Sequence, residues 1–228
     1  MATLTPSGSV SNAVSSLSTA RVDPSNQAGS QLLARDSEWS VGLLSLPGRA
    51  GLDLGLGLSY SSLVWTRSGP SDHPYLYFNE DNSSPSPGFR LGFATVQSKY
   101  FDAQVGRNVY MLITSSGSRV EPRQVGASNV YEAADSSYLQ LINNVSSLMV
   151  RTTDGTQMTY QQFENEWYVT QIKDRNGNYL SVTYNSQSDI STVTDTLGRV
   201  INFNYDGYAN LTSITQNWGT GVHTWASF

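Results

Sequence analysis

The C-terminal part of the chain repeats itself at a fixed period, the spacing from Gly177 to Gly198, and this period constrains the fold more than any other feature. At that shift Leu180 matches Ile201, Val182 matches Phe203 and Tyr184 matches Tyr205. Asn185 meets Asp206, Ile190 meets Leu211 and Val193 meets Ile214 in the same register. One step back, Val169, Ile172, Asp174 and Gly177 fall on Ile190, Val193, Asp195 and Gly198. The second half of the unit occurs three times and the first half twice.

Each unit reads as strand, turn, strand, turn. "YLSVTYN" and "VINFNYD" alternate apolar and polar residues with period 2, so Ile201, Phe203 and Tyr205 share one face and Asn202 and Asn204 the other. "NSQSD" and "DGYAN" carry turn residues, and "ISTVT" and "LTSIT" supply short β-branched strands. "DRNG" and "DTLG" make the remaining turns. A unit this small cannot bury its own apolar face, so units must stack on neighbours.

The Gly198-Arg199 pair followed by "NFNYD" and "NLTSI" resembles the tyrosine-aspartate (YD) repeats of Rhs proteins, also found in teneurins and insecticidal toxin complexes. Upstream, "LLSLPGRAGLDLGLGLSYSSLVWT", "SPSPGFRLGF" and "VRTTDGTQMTYQ" resemble the region that precedes the repeats in bacterial Rhs-type proteins. The resemblance covers roughly residues 37 to 228. It departs from the family at Ala209 and Ser188, where a glycine is usual, and at Asn185, which replaces the motif aspartate. Alanine disfavours positive φ, so these departures leave the turn type open. The resemblance implies an all-β fold in which antiparallel repeat strands form part of a coiled, shell-like sheet around a toxin or other cargo domain. It also implies an extracellular or cell-surface protein whose partners are further repeats or that cargo. The family's self-cleavage and toxin activities belong to segments beyond the matched region and are not carried over.

The residues before the repeats follow the same grammar. Leu52, Leu54, Leu56, Leu58 and Tyr60 alternate without a break, with Gly55 and Gly57 on the opposite face leaving room for a close neighbour. "NVYMLITSSGSRVEPRQVG" reads as a hairpin around Ser115–Ser118, "SSYLQLIN" and "SSLMVRTT" as a following pair, and Tyr75–Phe78 as a short strand in a Pro/Ser loop. "NVYEAADSSYLQLI" is the one place where a short helical turn fits. The expected organisation is a flexible Ser/Thr-rich arm over 1–36, a β-rich pre-repeat region over 37–150 and YD repeats over 151–228. The ending "HTWASF" has no closing turn or polar cap, so the chain reads as a fragment or truncated product of a longer one.

Composition narrows the function classes. Only 14% of residues are charged and the net charge is −5 with a pI near 4.9, which argues against a phosphate-backbone partner. With no cysteine, disulfides and thiolate metal sites are excluded. There is neither a visible signal peptide nor an apolar run of transmembrane length.

No residue set reads as catalytic, and no cofactor or metal is expected. "GLDLGLGL" lacks the dinucleotide-loop spacing, and His73 and His223, the only histidines, lie far apart. Asp174, Asn176 and Asn178 begin a calcium-loop spacing but lack its glycine and glutamate, so a turn is expected. Asp72, Glu80 and Asp81 read as a solvated loop, and the Asn82, Asn144 and Asn210 sequons as chance occurrences. The structural motif comprises Gly177, Leu180, Val182, Tyr184, Ile190, Val193, Asp195, Gly198, Arg199, Ile201, Phe203, Tyr205, Asp206, Leu211 and Ile214. Tyr179 and Tyr208 fall out of phase with the repeat and are candidates for binding, since exposed aromatics on sheets stack on sugars. The expected role is a structural wall segment without enzymatic activity that self-associates through its C-terminal strands. The alternative is an adhesin or glycan-binding module.

Overall fold

The structure, a computed structural model, describes residues 38–62, 65–68, 75–78, 85–86, 88–163 and 165–228. His73, Asp72, Glu80, Asp81, Asn82 and the arm over 1–36 lie outside the described residues. The fold is all-β and antiparallel throughout. The first strands are β1 (Glu38–Leu46), β2 (Leu54–Ser61), β3 (Trp65–Ser68), β4 (Tyr75–Phe78) and β5 (Phe89–Leu91). Then come β6 (Thr95–Asp102), β7 (Arg107–Ile113), β8 (Arg119–Val120), β9 (Pro122–Gln124), β10 (Val130–Ala133), β11 (Gln140–Asn143) and β12 (Leu148–Arg151). The last are β13 (Gln157–Phe163), β14 (Glu166–Lys173), β15 (Tyr179–Tyr184), β16 (Ile190–Asp195), β17 (Val200–Tyr205), β18 (Leu211–Trp218) and β19 (Gly221–Ser227).

One sheet of 14 strands holds everything from β6 onward, and it forks at β14. One edge of β14 pairs with β13 along its length. Its other edge is shared: Glu166–Tyr168 pair with β6, and Gln171–Lys173 pair with β15. The first pairing closes an eight-stranded barrel, β6-β7-β9-β10-β11-β12-β13-β14. The second starts an open extension, β15 to β19, in strict chain order. Thr170 lies between the two halves, and the β13–β14 register skips it. A bulge there adds local twist where the strand passes from the barrel to the extension.

Eight strands enclose just enough space for side chains. Val96, Leu112, Leu141, Leu148, Val150, Tyr160 and Val169 fill the barrel region with no exposed surface. Tyr110 and Tyr131 meet edge to face at 4.8 Å, and Asn143 Nδ2 donates to the Tyr110 hydroxyl at 2.9 Å. Fully burying an aliphatic side chain of this kind contributes about 1.5–3 kcal/mol. The β12 strand spans residue 150, so pre-repeat and repeat segments share one barrel.

The small sheet β1-β2-β5 covers the apolar face of the extension. Leu54, Leu56 and Leu58 alternate with Gly55 and Gly57 as the sequence pattern implies, and they join one core with Leu180, Ile190, Ile201 and Phe203. Gly92 marks the closeness: a Cβ there would sit 3.1 Å from Leu56 Cδ1 and 3.2 Å from Ile190 Cδ1. Ser59 Oγ donates to the Ser115 carbonyl at 3.1 Å, and Arg90 Nη2 donates to Thr95 Oγ1 at 2.7 Å and the Ile113 carbonyl at 3.2 Å. The repeats are therefore covered by the pre-repeat strands as well as by one another.

The hairpin at Ser115–Ser118, the β11–β12 pair and the Tyr75–Phe78 strand stand where the sequence places them. The helical turn in "NVYEAADSSYLQLI" does not form; that segment is β10, a turn and β11. Tyr131 and Leu141 pair across the hairpin and are buried, and the Ala133 N–H donates to the Leu139 carbonyl at 2.9 Å, so the segment's period is 2.

Candidate functional site

One backbone turn, also present at 114–118 and 152–156, links the repeat strands over 174–178, 185–189, 195–199 and 206–210. In each, the first N–H donates to the fifth carbonyl at 2.8–3.1 Å, and the fourth N–H donates to the first carbonyl at 2.9–3.2 Å. The first residue, Asp174, Asn185, Asp195 or Asp206, accepts through Oδ1 from the third and fifth N–H groups. Only a short side chain with a planar oxygen reaches both donors, which is why Asp and Asn recur there. The fourth residue takes the left-handed conformation in all four: Gly177 at φ 86°, Ser188 at 65°, Gly198 at 77° and Ala209 at 64°. The departures from glycine therefore keep the turn and carry its backbone strain.

A second recurring device fastens each unit to the one before. The Tyr184 hydroxyl donates to the Val169 carbonyl at 2.8 Å, and the Tyr205 hydroxyl donates to the Ile190 carbonyl at 2.8 Å. Donor and acceptor both advance by one period. Register irregularities advance with them, since the pairing skips Thr170, Ser191 and Thr212 in turn. Burial pushes the Tyr184 and Tyr205 phenols well above their ordinary range. Tyr184 also packs against Phe163 and Tyr168 at centroid distances of 5.4 and 5.3 Å.

Pairing also reveals a third copy of the unit's first half. Tyr160 opposes Val169 as Tyr184 opposes Ile190 and Tyr205 opposes Leu211. Met158 opposes Ile172 as Val182 opposes Val193 and Phe203 opposes Ile214. The connection after Tyr160 is three residues longer than the others, which breaks the repeat register and hides this copy from a fixed shift. Its hydroxyl turns to Met158 Sδ at 3.7 Å.

Every apolar motif position before the last turn is buried: Leu180, Val182, Ile190, Val193, Ile201 and Phe203, with Leu211 and Ile214 beyond it. Arg199 ties a turn to the small sheet, pairing with Asp195 at 2.6 Å and donating to the Pro47 carbonyl at 2.6 Å. The last hairpin departs from the pattern. Gln216 occupies the position of Asp195, stays buried, and accepts from Trp225 Nε1 at 3.2 Å, while β18 runs on to Trp218. Trp218 and His223 stack in parallel at 3.4 Å beside a groove of about 660 Å³ lined by Leu46, Arg199, Trp218 and Trp225 among others.

Tyr179 and Tyr208 are both exposed but stand at opposite ends of the repeat strands, so they do not form one platform. Asp174, Asn176 and Asn178 bond one another within their turn. Asn144 and Asn210 are exposed. Among the described residues, no group of three or more His, Cys, Asp or Glu side chains is placed to hold a metal ion. No helix there is long and apolar enough to cross a membrane. No protein-family model matches the chain, and no curated protein matches it.

Proposed function

We propose that the chain is a wall segment of a YD-repeat β-shell, enclosing a toxin or other cargo domain that lies further along the parent chain. It carries no catalytic activity of its own in this reading, and it works outside the cell or at its surface. The observation that supports the reading is the tyrosine-to-carbonyl bond that recurs at the repeat period, Tyr184 to Val169 and Tyr205 to Ile190. A device that fastens each unit only to its predecessor permits indefinite addition of units, which is what an enclosing wall requires. The test is to sequence the encoding gene downstream of the codon for Phe228. Further YD units followed by an unrelated domain support the reading; a stop codon with no such units overturns it.

A second reading, a glycan-binding module, draws on Tyr208, which is 90% exposed at a turn tip. Glycan-array binding abolished by Tyr208→Ala supports it, and an array without signal removes it.

A further inference from the structure

We propose that the crease at the sheet's fork, between β13, β14 and the diverging end of β15, is a binding site for a neutral saccharide. The fork itself opens the crease. β15 pairs with β14 only over Tyr179–Ser181, because Glu166–Tyr168 on the same edge are taken by β6. Beyond Ser181 the two strands part and leave a cavity of about 450 Å³, within the range of small-molecule sites. The pairing of Gln171 with Ser181 closes one end, and the rings of Phe163 and Tyr184, 5.4 Å apart, close the other. The bulge supplies an extra side chain. Thr170 and Gln171, consecutive between buried Val169 and Ile172, both line the cavity, where strict alternation would turn one of them into the core.

The lining selects the ligand. Thr159, Gln161, Thr170, Gln171, Ser181 and Thr183 present hydroxyls and amides, and no residue lining the cavity is charged. Hydroxyls and amides both donate and accept, as the hydroxyls of a sugar do. A charged ligand would find no opposite charge there, and an apolar one would leave polar groups without partners. Gln161, Gln171 and Ser181 spend no side-chain hydrogen bond on another described residue, so their capacity is available to a ligand. Phe163, half-buried at the end of the crease, offers a ring against which the apolar face of a pyranose packs. A peptide strand is the wrong shape, since the parted stretch Val182–Tyr184 is too short to seat one. The site is remote in the strand order from β19, where further units would pair, so it stands whether or not the shell reading holds. It is also separate from Tyr208, which lines no part of it.

Isothermal titration of the whole chain with cellobiose, maltose, lactose and chitobiose tests the site, with a sulfated heparin disaccharide as the anionic control. At least one neutral disaccharide should bind saturably and the sulfated one should not. Gln161 and Gln171 are exposed, so Gln161→Ala and Gln171→Ala should keep the circular dichroism of the parent. Each should weaken binding about two- to tenfold, the loss of one hydrogen bond. Tyr208→Ala should bind as the parent does. No binding by any of the four neutral sugars, binding of the sulfated disaccharide alone, or an affinity unchanged in both glutamine variants would overturn the proposal. Loss confined to Tyr208→Ala would overturn it too, and would support the glycan reading at that tyrosine instead.

Discussion

The Tyr205 hydroxyl donates to the main-chain carbonyl of Ile190 across 2.8 Å, reaching back into the preceding unit. Tyr184 makes the same reach to Val169. The bond joins side chain to backbone, so it tolerates any side chain at the acceptor and survives sequence drift between units. Removing the hydroxyl leaves a buried carbonyl one partner short while the ring keeps its packing. Tyr205→Phe and Tyr184→Phe should each cost about 0.5–1.5 kcal/mol in urea melts. Variants as stable as the wild type would show that the bond contributes nothing to unit stacking.

The two faces of β17 should respond differently to truncation. Phe203 lies in the core beneath the small sheet, so Phe203→Ala should cost about 3–5 kcal/mol through lost transfer energy and an unfilled cavity. Asn204 is exposed, and its amide donates to Ser213 Oγ and Thr215 Oγ1 at 3.1 and 3.0 Å. Those bonds compete with water, and Asn204→Ala should cost less than about 1 kcal/mol. Equal urea midpoints for the two variants would contradict the face assignment.

Ser188 and Ala209 hold left-handed conformations that glycine enters without strain. Ser188→Gly and Ala209→Gly should each stabilise by about 0.5–1 kcal/mol, the relief of strain exceeding glycine's entropic cost. Gly198→Ala should do the reverse by about 1 kcal/mol, since a Cβ there meets no atom within 4 Å and the cost is purely conformational. Stabilisation by Gly198→Ala would show that the turn geometry is wrong.

The turn carboxylates set an acid limit. Hydrogen bonds from the Asn210 side chain and from the Asn210 and Tyr208 N–H groups hold Asp206 below the ordinary carboxylate range. At Asp174 burial pushes upward, but bonds from Asn178 and Asn176 outweigh it and the carboxyl is again held low. A group with a depressed folded pKa contributes stability that is complete above its unfolded value and is lost as pH falls through the folded one. Urea midpoints should thus be level above about pH 5 and fall below about pH 4. The double variant Asp174→Asn and Asp206→Asn keeps the turn, as Asn185 does naturally, and should fall less steeply. An identical acid slope would remove these carboxylates from the account.

The alternation in "VINFNYD" and "LDLGLGLSY" makes strands and faces readable, because one buried face imposes period 2 whatever the partner strand is. The turns are readable to the level of Asp or Asn at the first position, but not through Ser188 and Ala209, where hydrogen bonds to Asn185 and Asp206 hold non-glycine residues at positive φ. The barrel is not readable. Its closure depends on Tyr168 facing Thr95, a pairing between distant parts of the chain that leaves no local pattern. Tyr160 is hidden by the longer connection that follows it, and the helical reading of the segment around Ala133 yields to the cross-strand pair Tyr131–Leu141.

Addition of units one after another onto a single growing sheet can be checked by adding one. A second copy of residues 179–199, one full period, inserted between Arg199 and Val200 should fold as two further strands, with its tyrosine bonded to a main-chain carbonyl of the preceding unit. A crystal structure of that variant should show the longer sheet, with a urea midpoint at or above that of the parent. An inserted segment extruded as a loop, or a chain that no longer folds, would contradict the account.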